Sequence, residues 1–313
     1  MSFFSIVIPT YNSKKYVEIT LQSILDNEFD DFVIEIFDDG STDGTPDLIS
    51  ETFKNDNRVK VHRMDHCGPA NIKNSAIQEV DGDYILFVDS DDLLNNMALS
   101  KLHAKIVNSG YPELVIFNLD YFTDFIDPNA SYERPISVET MENGAPTKVF
   151  RKDLLKKIEF PKNTLFEDVA FCINAVLMSK HTIMMPDILY YYRQHRESLT
   201  KQKQNALRRL DILTAYKGMF DIDSSSNIDS TIKKKLYTNI AKTVFGHIKK
   251  SIVLNEEDSS KLFDKLYDYM ERNEIVQKSD ASLKWKFKYW VVRQLVRLKM
   301  NRLVGLIAAR KMY

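Results

Sequence analysis

A chain of 313 residues that is 44% hydrophobic and 11% aromatic can bury one large core and a smaller module, which excludes a disordered or fibrous protein. Its two cysteines, Cys67 and Cys172, lie far apart with no His or Cys at metal-ligand spacing, so neither a disulfide framework nor a zinc site is expected, and a reduced, cytosolic setting fits. The net charge of −1 conceals an asymmetry, with +9 over residues 278–313 and −10 elsewhere, so the basic end suits an anionic partner such as membrane lipid, a phosphorylated acceptor or nucleic acid.

The apolar run Phe3–Ile8 is stopped by Pro9 and follows no cationic stretch. It is too short for a signal peptide or a membrane span and reads as a first buried strand. Further strands are predicted at Val33–Phe37, Val59–His62, Tyr84–Val88 and Leu114–Phe117. Between them, Lys14–Asn27 and Ile72–Val80 carry apolar residues at helical spacing. This alternation predicts an α/β fold with a Rossmann-like, mostly parallel sheet covered by helices on both faces, whose ligands bind outside the carboxyl ends of the strands. From about 120 to 200 loops dominate, with helical Leu154–Ile158, a helix over Glu167–Met178 and a Tyr-rich segment at Tyr190–Arg193. Beyond Ser198 only helical patterns follow, roughly 205–219, 229–254, 258–272 and 280–310. The expected division is a catalytic domain at 1–200 and a mainly helical region at 201–313.

Three polar segments follow predicted strands and so converge on one sheet edge: Pro9-Thr10-Tyr11-Asn12, Asp38–Asp43 and Asp89-Ser90-Asp91-Asp92. The last delivers three carboxylates, hard oxygen ligands that suit Mg²⁺ or Mn²⁺, although an isolated Asp-x-Asp is more often a cap or a solvated loop. Asp38–Asp43 reads equally as a turn and helix cap. Beside the first loop, an Asp there can accept from a base N–H while Tyr11 packs on the ring, which makes a nucleotide pocket.

In this order, Ser5–Asn12 (SIVIPTYN), Asp38–Asp43 (DDGSTD) and Tyr84–Asp92 (YILFVDSDD) resemble the family-2 glycosyltransferases. The resemblance covers residues 3 to about 200 and implies the GT-A fold, an inverting reaction and an Mn²⁺ or Mg²⁺ cofactor. It makes Pro9, Thr10, Tyr11, Asp38, Asp39, Lys73, Asp89 and Ser90 nucleotide contacts, with Asp39 the reader of uracil, and Asp91 the principal metal ligand beside Asp89. At Lys73 the family commonly carries Arg, so a cation persists without the bidentate fork. Phe166–Phe171 matches the Glu-Asp segment in which Asp168 is the catalytic base and Glu167 positions it or the acceptor; capping of a helix N-terminus is the alternative. Arg193, His195, Arg196 and Ser198 match a loop that closes over the donor diphosphate, with a solvated basic loop as the alternative. Lys148 lies where the family approaches donor or acceptor, a surface lysine being the simpler view.

The same resemblance implies a UDP-sugar donor, a saccharide or lipid-linked acceptor of cell-surface polysaccharide synthesis, and no nucleic acid. Trp285, Tyr289, Val292, Val296, Leu303 and Ile307 form one helical stripe flanked by Lys286, Arg293 and Arg297 on one margin and Lys288, Lys299 and Arg302 on the other. That pattern suits a peripheral helix on the inner face of the cell membrane, or one packed on the body. A homo-oligomer is compatible with either. The rival readings are a catalytically silent nucleotide-sugar-binding protein and a membrane or oligomer scaffold built on residues 201–313. A nucleotidyltransferase would need a glycine-rich basic loop where Thr10-Tyr11-Asn12 stands.

Overall fold

A computed structural model describes residues 2–123, 125–195, 206–213, 216, 229–253 and 258–298. In chain order the elements are β1 (Phe4–Thr10), α1 (Val17–Leu25), β2 (Phe32–Asp38), α2 (Thr45–Thr52), β3 (Val59–Arg63), α3 (Pro69–Glu79), β4 (Tyr84–Phe87), β5 (Leu93–Leu94), α4 (Ala98–Asn108) and β6 (Leu114–Phe122). They continue with β7 (Lys148–Arg151), α5 (Lys152–Leu155), α6 (Glu167–Met178), β8 (Thr182–Arg193), α7 (Ser230–Val253), α8 (Ser259–Arg272), α9 (Ile275–Lys278) and α10 (Leu283–Arg297). The eight strands form one sheet in the order β3-β2-β1-β4-β7-β6-β8-β5. The β3-β2-β1-β4 half is parallel throughout. The other half is mixed, because β7 runs antiparallel to both β4 and β6 while β6 and β8 are parallel.

Alternation along β1 sorts its side chains to two faces. Phe4, Ile6 and Ile8 join Val17, Leu21 and Ile24 of α1 and Leu99, Leu102 and Ile106 of α4 in one buried cluster. On the opposite side, Phe87, Phe150, Phe160 and Phe171 make a chain of ring contacts, closing on a stacked pair, Phe160 and Phe171, with centroids 3.6 Å apart. Each such buried side chain contributes about 1.5–3 kcal/mol. Pro9 lies two residues past the last β1–β4 pair, Val7–Phe87, where the ladder calls for no N–H.

The segment from 120 to 200 holds more regular structure than its sequence suggests. β8 is twelve residues long, and Tyr190–Arg193 is its end. Its pairing with β6 shifts register twice near Asn118, which interrupts the alternation that marks a strand. The helical stretch Leu154–Ile158 is the shorter α5.

Contacts divide the described residues into two compact units. The first is residues up to Ser137, Met141–Asn163 and Glu167–His195; the second is Val138–Thr140, Thr164–Phe166 and the described residues after His195. In the second, Trp285 and Tyr289 of α10 are buried and stacked on each other, with Phe245 of α7 against Trp285 and Tyr267 of α8 against Tyr289. The stripe of Trp285, Tyr289 and Val292 therefore faces inward and packs on its own unit, because aromatic area is best removed from water between helices. The side chains of Val296 and Arg297 and residues Lys299, Arg302, Leu303 and Ile307 lie outside the description. Among the described residues no helix is long and apolar enough to cross a membrane.

Gly82 approaches the central strand so closely that a Cβ would stand 2.5 Å from Ser5 N and 2.9 Å from Phe4 C. Gly82→Ala is expected to cost about 1–3 kcal/mol through forced movement of β1, read as a lowered urea midpoint at unchanged slope; an unchanged midpoint would show that the approach is not constrained.

Candidate active site

The loops after β1 and β2 are sewn together before any ligand is considered. Asn12, at φ +50°, donates its N–H to Ser41 Oγ and accepts from Thr42 N–H on its side-chain oxygen. Ser13 N–H donates to Thr45 Oγ1, and Lys14 N–H to Asp43. Buried Asp38 accepts from Thr10 Oγ1 and from Ser41 N–H. Gly40 sits at φ +72°, and a Cβ there would meet His66 N at 3.1 Å, so a side chain is strained in both respects. The polar residues of both motifs are thus the hydrogen-bonding partners that two adjoining irregular segments need.

Asp39, also buried, reaches across to the start of α3. Its carboxylate accepts from Cys67 N–H at 2.6 Å and Gly68 N–H at 3.0 Å, and His66 Nδ1 lies 3.0 Å from Oδ2. Most of its lone-pair capacity is therefore engaged by the 66–68 loop. Tyr11 is half exposed and its ring lies 4.6 Å from that of His66.

α3 begins at Gly68-Pro69, a favourable helix start, and its first turns carry Lys73 and Asn74. The Asn74 side chain brackets the backbone of Phe160, donating to its carbonyl and accepting from its N–H, both at 2.8 Å. The Phe160 ring lies under the Lys73 ammonium, 5.1 Å away. Lys73, 5% exposed, donates to Asp168 Oδ1 at 2.5 Å and to Glu167 Oε1 at 3.3 Å. Burial alone would lower the lysine pKa, but the charges of Asp168, Glu167 and Asp89 outweigh it and hold the pKa above its ordinary value. Glu167 and Asp168 occupy the first turn of α6, where the helix dipole favours acids. Their carboxylates, however, meet Lys73 and, at 3.3 Å from Asp168 Oδ2, the N–H of Ala145.

The Ala145 loop is fixed from below. Lys148 is fully buried rather than a surface lysine, and its ammonium donates to Glu142 O, Gly144 O and Thr147 Oγ1. All three donors of an ammonium are satisfied without a carboxylate.

The end of β4 brings the remaining acids. Burial raises the pKa of Asp89 to about 7; Lys73 opposes this, while Asp168, Asp91 and Glu167 add repulsion. Asp89 N–H donates to Tyr190 Oη, which in turn donates to Asp92. Asp92 is fully buried and accepts from Arg193 N–H. Burial and then the charges of Asp89 and Asp91 push its pKa well above the carboxylate range. Asp92 is therefore an internal strut between β4 and β8. Arg193 donates Nε–H to Asp91 O, and its guanidinium lies over the rings of Phe122 and Tyr16. His195 Nε2 is 2.8 Å from Asp91 Oδ2. Ser90 Oγ is 2.6 Å from Ser13 Oγ, which ties the β4 end to the β1 loop.

The proposed residues thus fall at one edge of the sheet, apart from Arg196 and Ser198, which lie outside the described residues. Tyr190, Asn74, Ala145 and Ser13 were not singled out from sequence as site supports. Only the unusual Tyr190–Tyr192 run gave a hint, since a buried tyrosine implies a hydrogen-bond partner. Among the described residues no group of three or more His, Cys, Asp or Glu side chains is spaced to hold a metal alone. Asp89 and Asp91 are nonetheless hard oxygen donors in a region crowded with negative charge, and Mg²⁺ characteristically binds through one or two carboxylates plus substrate phosphate and water. The donor set fits such an ion.

The fold and this edge define a Rossmann-like α/β protein with an acidic cluster at the carboxyl ends of its parallel strands. A model of glycosyl transferase family 2 matches residues 5–173, more than half of the chain, and the protein belongs to that family. Poly(ribitol-phosphate) beta-N-acetylglucosaminyltransferase TarS of Staphylococcus aureus strain MW2 is 30% identical over 210 residues, 63% of this chain and 36% of TarS. The chain thus spans little more than a third of that relative. Glycosyltransferase GlyG of Streptococcus pneumoniae serotype 4 is 26% identical over 261 residues, 76% of this chain and 86% of GlyG. Among solved structures, S. aureus TarS 1–349 in complex with UDP-GlcNAc matches with a TM-score of 0.76 at 21% identity, over 98% of this chain and 90% of that one. Mannosyltransferase PcManGT of Pyrobaculum calidifontis, in complex with GDP-Man and Mn²⁺, matches with 0.60 at 13%, over 98% and 84%. These likenesses establish the GT-A fold.

Two substitutions probe the supports. Lys73→Met strands buried carboxylates without their counter-ion, and a stability loss of about 3–5 kcal/mol is expected by urea unfolding; a change within error would show the pair to be solvated. Tyr190→Phe keeps the ring but removes the hydroxyl that Asp89 N–H donates to and that donates to Asp92 Oδ2, costing roughly 1–3 kcal/mol, whereas a neutral result would mean that water replaces the hydroxyl.

Proposed function

We propose that the protein transfers a sugar from a UDP-sugar to an acceptor hydroxyl with inversion at the anomeric carbon. The observation that carries this reading is the buried Lys73 ammonium, which holds Asp168 at 2.5 Å and Glu167 at 3.3 Å within electrostatic reach of Asp89 at the end of β4. Carboxylates suited to a donor diphosphate and one suited to an acceptor proton share a single site. Asp168 is the base. One of its oxygens is held by Lys73 and the other by Ala145 N–H, which leaves lone pairs to accept a proton, and its side chain is 24% exposed.

In the reaction the acceptor oxygen bonds to the anomeric carbon as Asp168 takes its proton, and the bond to the diphosphate oxygen breaks, releasing UDP. General-base assistance of this kind contributes about 10²–10⁴-fold. A divalent ion, Mn²⁺ or Mg²⁺, held by Asp91 and Asp89 would neutralise charge on the departing diphosphate. Tyr11 offers a ring face to the base, and Thr10, Asp38 and Asp39 form the floor beneath it. Pro9 and Ser90 border that floor. Arg193 and His195, both anchored on Asp91, stand on the diphosphate side; Arg196 and Ser198 are assigned to the same role by the family resemblance alone. Lys73 serves the base as much as the nucleotide. Residues 1–200 form the catalytic domain in this reading and 201–313 an accessory helical region.

Family membership supports the transferase class, and the fold-level likeness to a structure holding UDP-GlcNAc supports a nucleotide-sugar donor. UDP-GlcNAc therefore heads the donors to test, with a cell-surface polysaccharide or lipid-linked saccharide as acceptor. Screening UDP-sugar hydrolysis and transfer with and without Mn²⁺ should show metal-dependent release of UDP. Asp168→Asn is expected to lose at least ~10²-fold in transfer while retaining UDP binding by calorimetry, and Asp91→Ala to weaken metal-dependent UDP binding. Unchanged transfer in Asp168→Asn, or a product with the donor's anomeric configuration, would defeat the mechanism.

A further inference from the structure

α10 has two apolar faces, and its own unit buries one of them. Trp285, Tyr289 and Val292 point inward. On the opposite side, Leu283 is 85% exposed, Phe287 66%, Trp290 53% and Leu298 67%. At helical spacing these four fall on one side of the cylinder, and Phe287 and Trp290 stack there with centroids 6.0 Å apart. A contiguous exposed face with two large aromatics is not what a freely solvated helix shows.

The charges around this face name its partner. Lys284 and Lys288 lie along one margin, Lys286 and Arg293 along the other. Lys286 donates to Ser279 O and Arg293 pairs with Glu271, so both cations are held at the rim by their own unit. From Ala281 to the end the sequence has nine Lys or Arg and no Asp or Glu. A second copy of the same face would bring like charges together at a cost. Tryptophan beside phenylalanine, leucine and rim cations has the composition of a helix seated at the boundary between anionic headgroups and acyl chains.

We propose that the outer face of α10, built on Leu283, Phe287 and Trp290, docks the protein onto an anionic lipid bilayer. The helix lies in the plane of the interface: the aromatic pair enters the headgroup layer, the exposed Lys284 meets lipid phosphates, and Trp285 and Tyr289 keep it attached to its unit. The proposal is independent of the catalytic reading, because the docking residues belong to the second compact unit and hydrolysis of a soluble donor does not require them.

The test uses the full chain and sedimentation with vesicles of phosphatidylcholine, alone or with a third of the lipid replaced by phosphatidylglycerol. The wild type is expected to pellet with the anionic vesicles and to release as salt rises. Brominated phosphatidylglycerol should quench the emission of Trp290. Phe287→Ser/Trp290→Ser removes exposed side chains only, so helix content by circular dichroism and donor hydrolysis should be retained while pelleting is lost. Lys284→Ala should lower partitioning about five-fold, as expected for one cation near a charged bilayer. Equal pelleting of wild type and the double variant would overturn the proposal. So would absence of vesicle binding, including the case in which the wild type self-associates and the double variant does not, which would assign the face to a second copy.

Discussion

The site depends on one buried ammonium. Lys73 lies among Asp89, Glu167 and Asp168, three carboxylates from two separated stretches of chain that would repel one another in a medium of low polarity. At 4 Å two unit charges interact by about 4 kcal/mol at an effective dielectric of 20, so the acids can be gathered only around a counter-charge. A lysine performs this with one point charge that several oxygens can share. Arginine at the same place would present a planar fork and impose its own geometry.

Everything that positions Lys73 consists of ordinary hydrogen-bond satisfaction. Asp39 at the end of β2 grips Cys67 and Gly68, which starts α3; Asn74 brackets Phe160, whose ring supports the ammonium; Lys148 fixes the loop whose Ala145 N–H meets Asp168. A second series runs through Tyr190 and Asp92, joining β4 to β8 and setting Asp91 beside His195. Each link is worth only about 0.5–1.5 kcal/mol. Together they carry the register of the sheet to these side chains, which is why the Asp168 carboxylate on α6 lies within electrostatic reach of the Asp89 carboxylate that follows β4.

How much of this was legible in the sequence follows from the range of each interaction. The parallel strands were readable because Ser5–Ile8, Val33–Phe37 and Tyr84–Val88 are apolar runs ended by turn residues, a local signal. β7 and β8 were not: β7 has four residues, and β8 contains Pro186 and Asp187 and pairs through two register shifts. The gathering of Asp38, Asp39, Asp89 and Asp91 at one edge follows from topology alone once the strands are parallel. Asp92 as a strut and the Lys73–Asp168 pair depend on partners 95 to 101 residues away, which no window along the chain can show, and the Lys148 clamp, though its partners are local, is marked only by its burial. In α10 the sequence revealed an apolar stripe but not which side was buried, because both faces carry aromatics and only packing against Phe245 and Tyr267 decides.

The most direct measurement of the account is a double-mutant cycle on stability between Lys73 and Asp168, using Lys73→Met, Asp168→Asn and the pair. If the ammonium and the base form one buried unit, the two effects are strongly non-additive, with an interaction energy of about 0.5–3 kcal/mol. Additive losses, with no coupling beyond error, would mean that Lys73 does not hold Asp168 and would contradict the central claim.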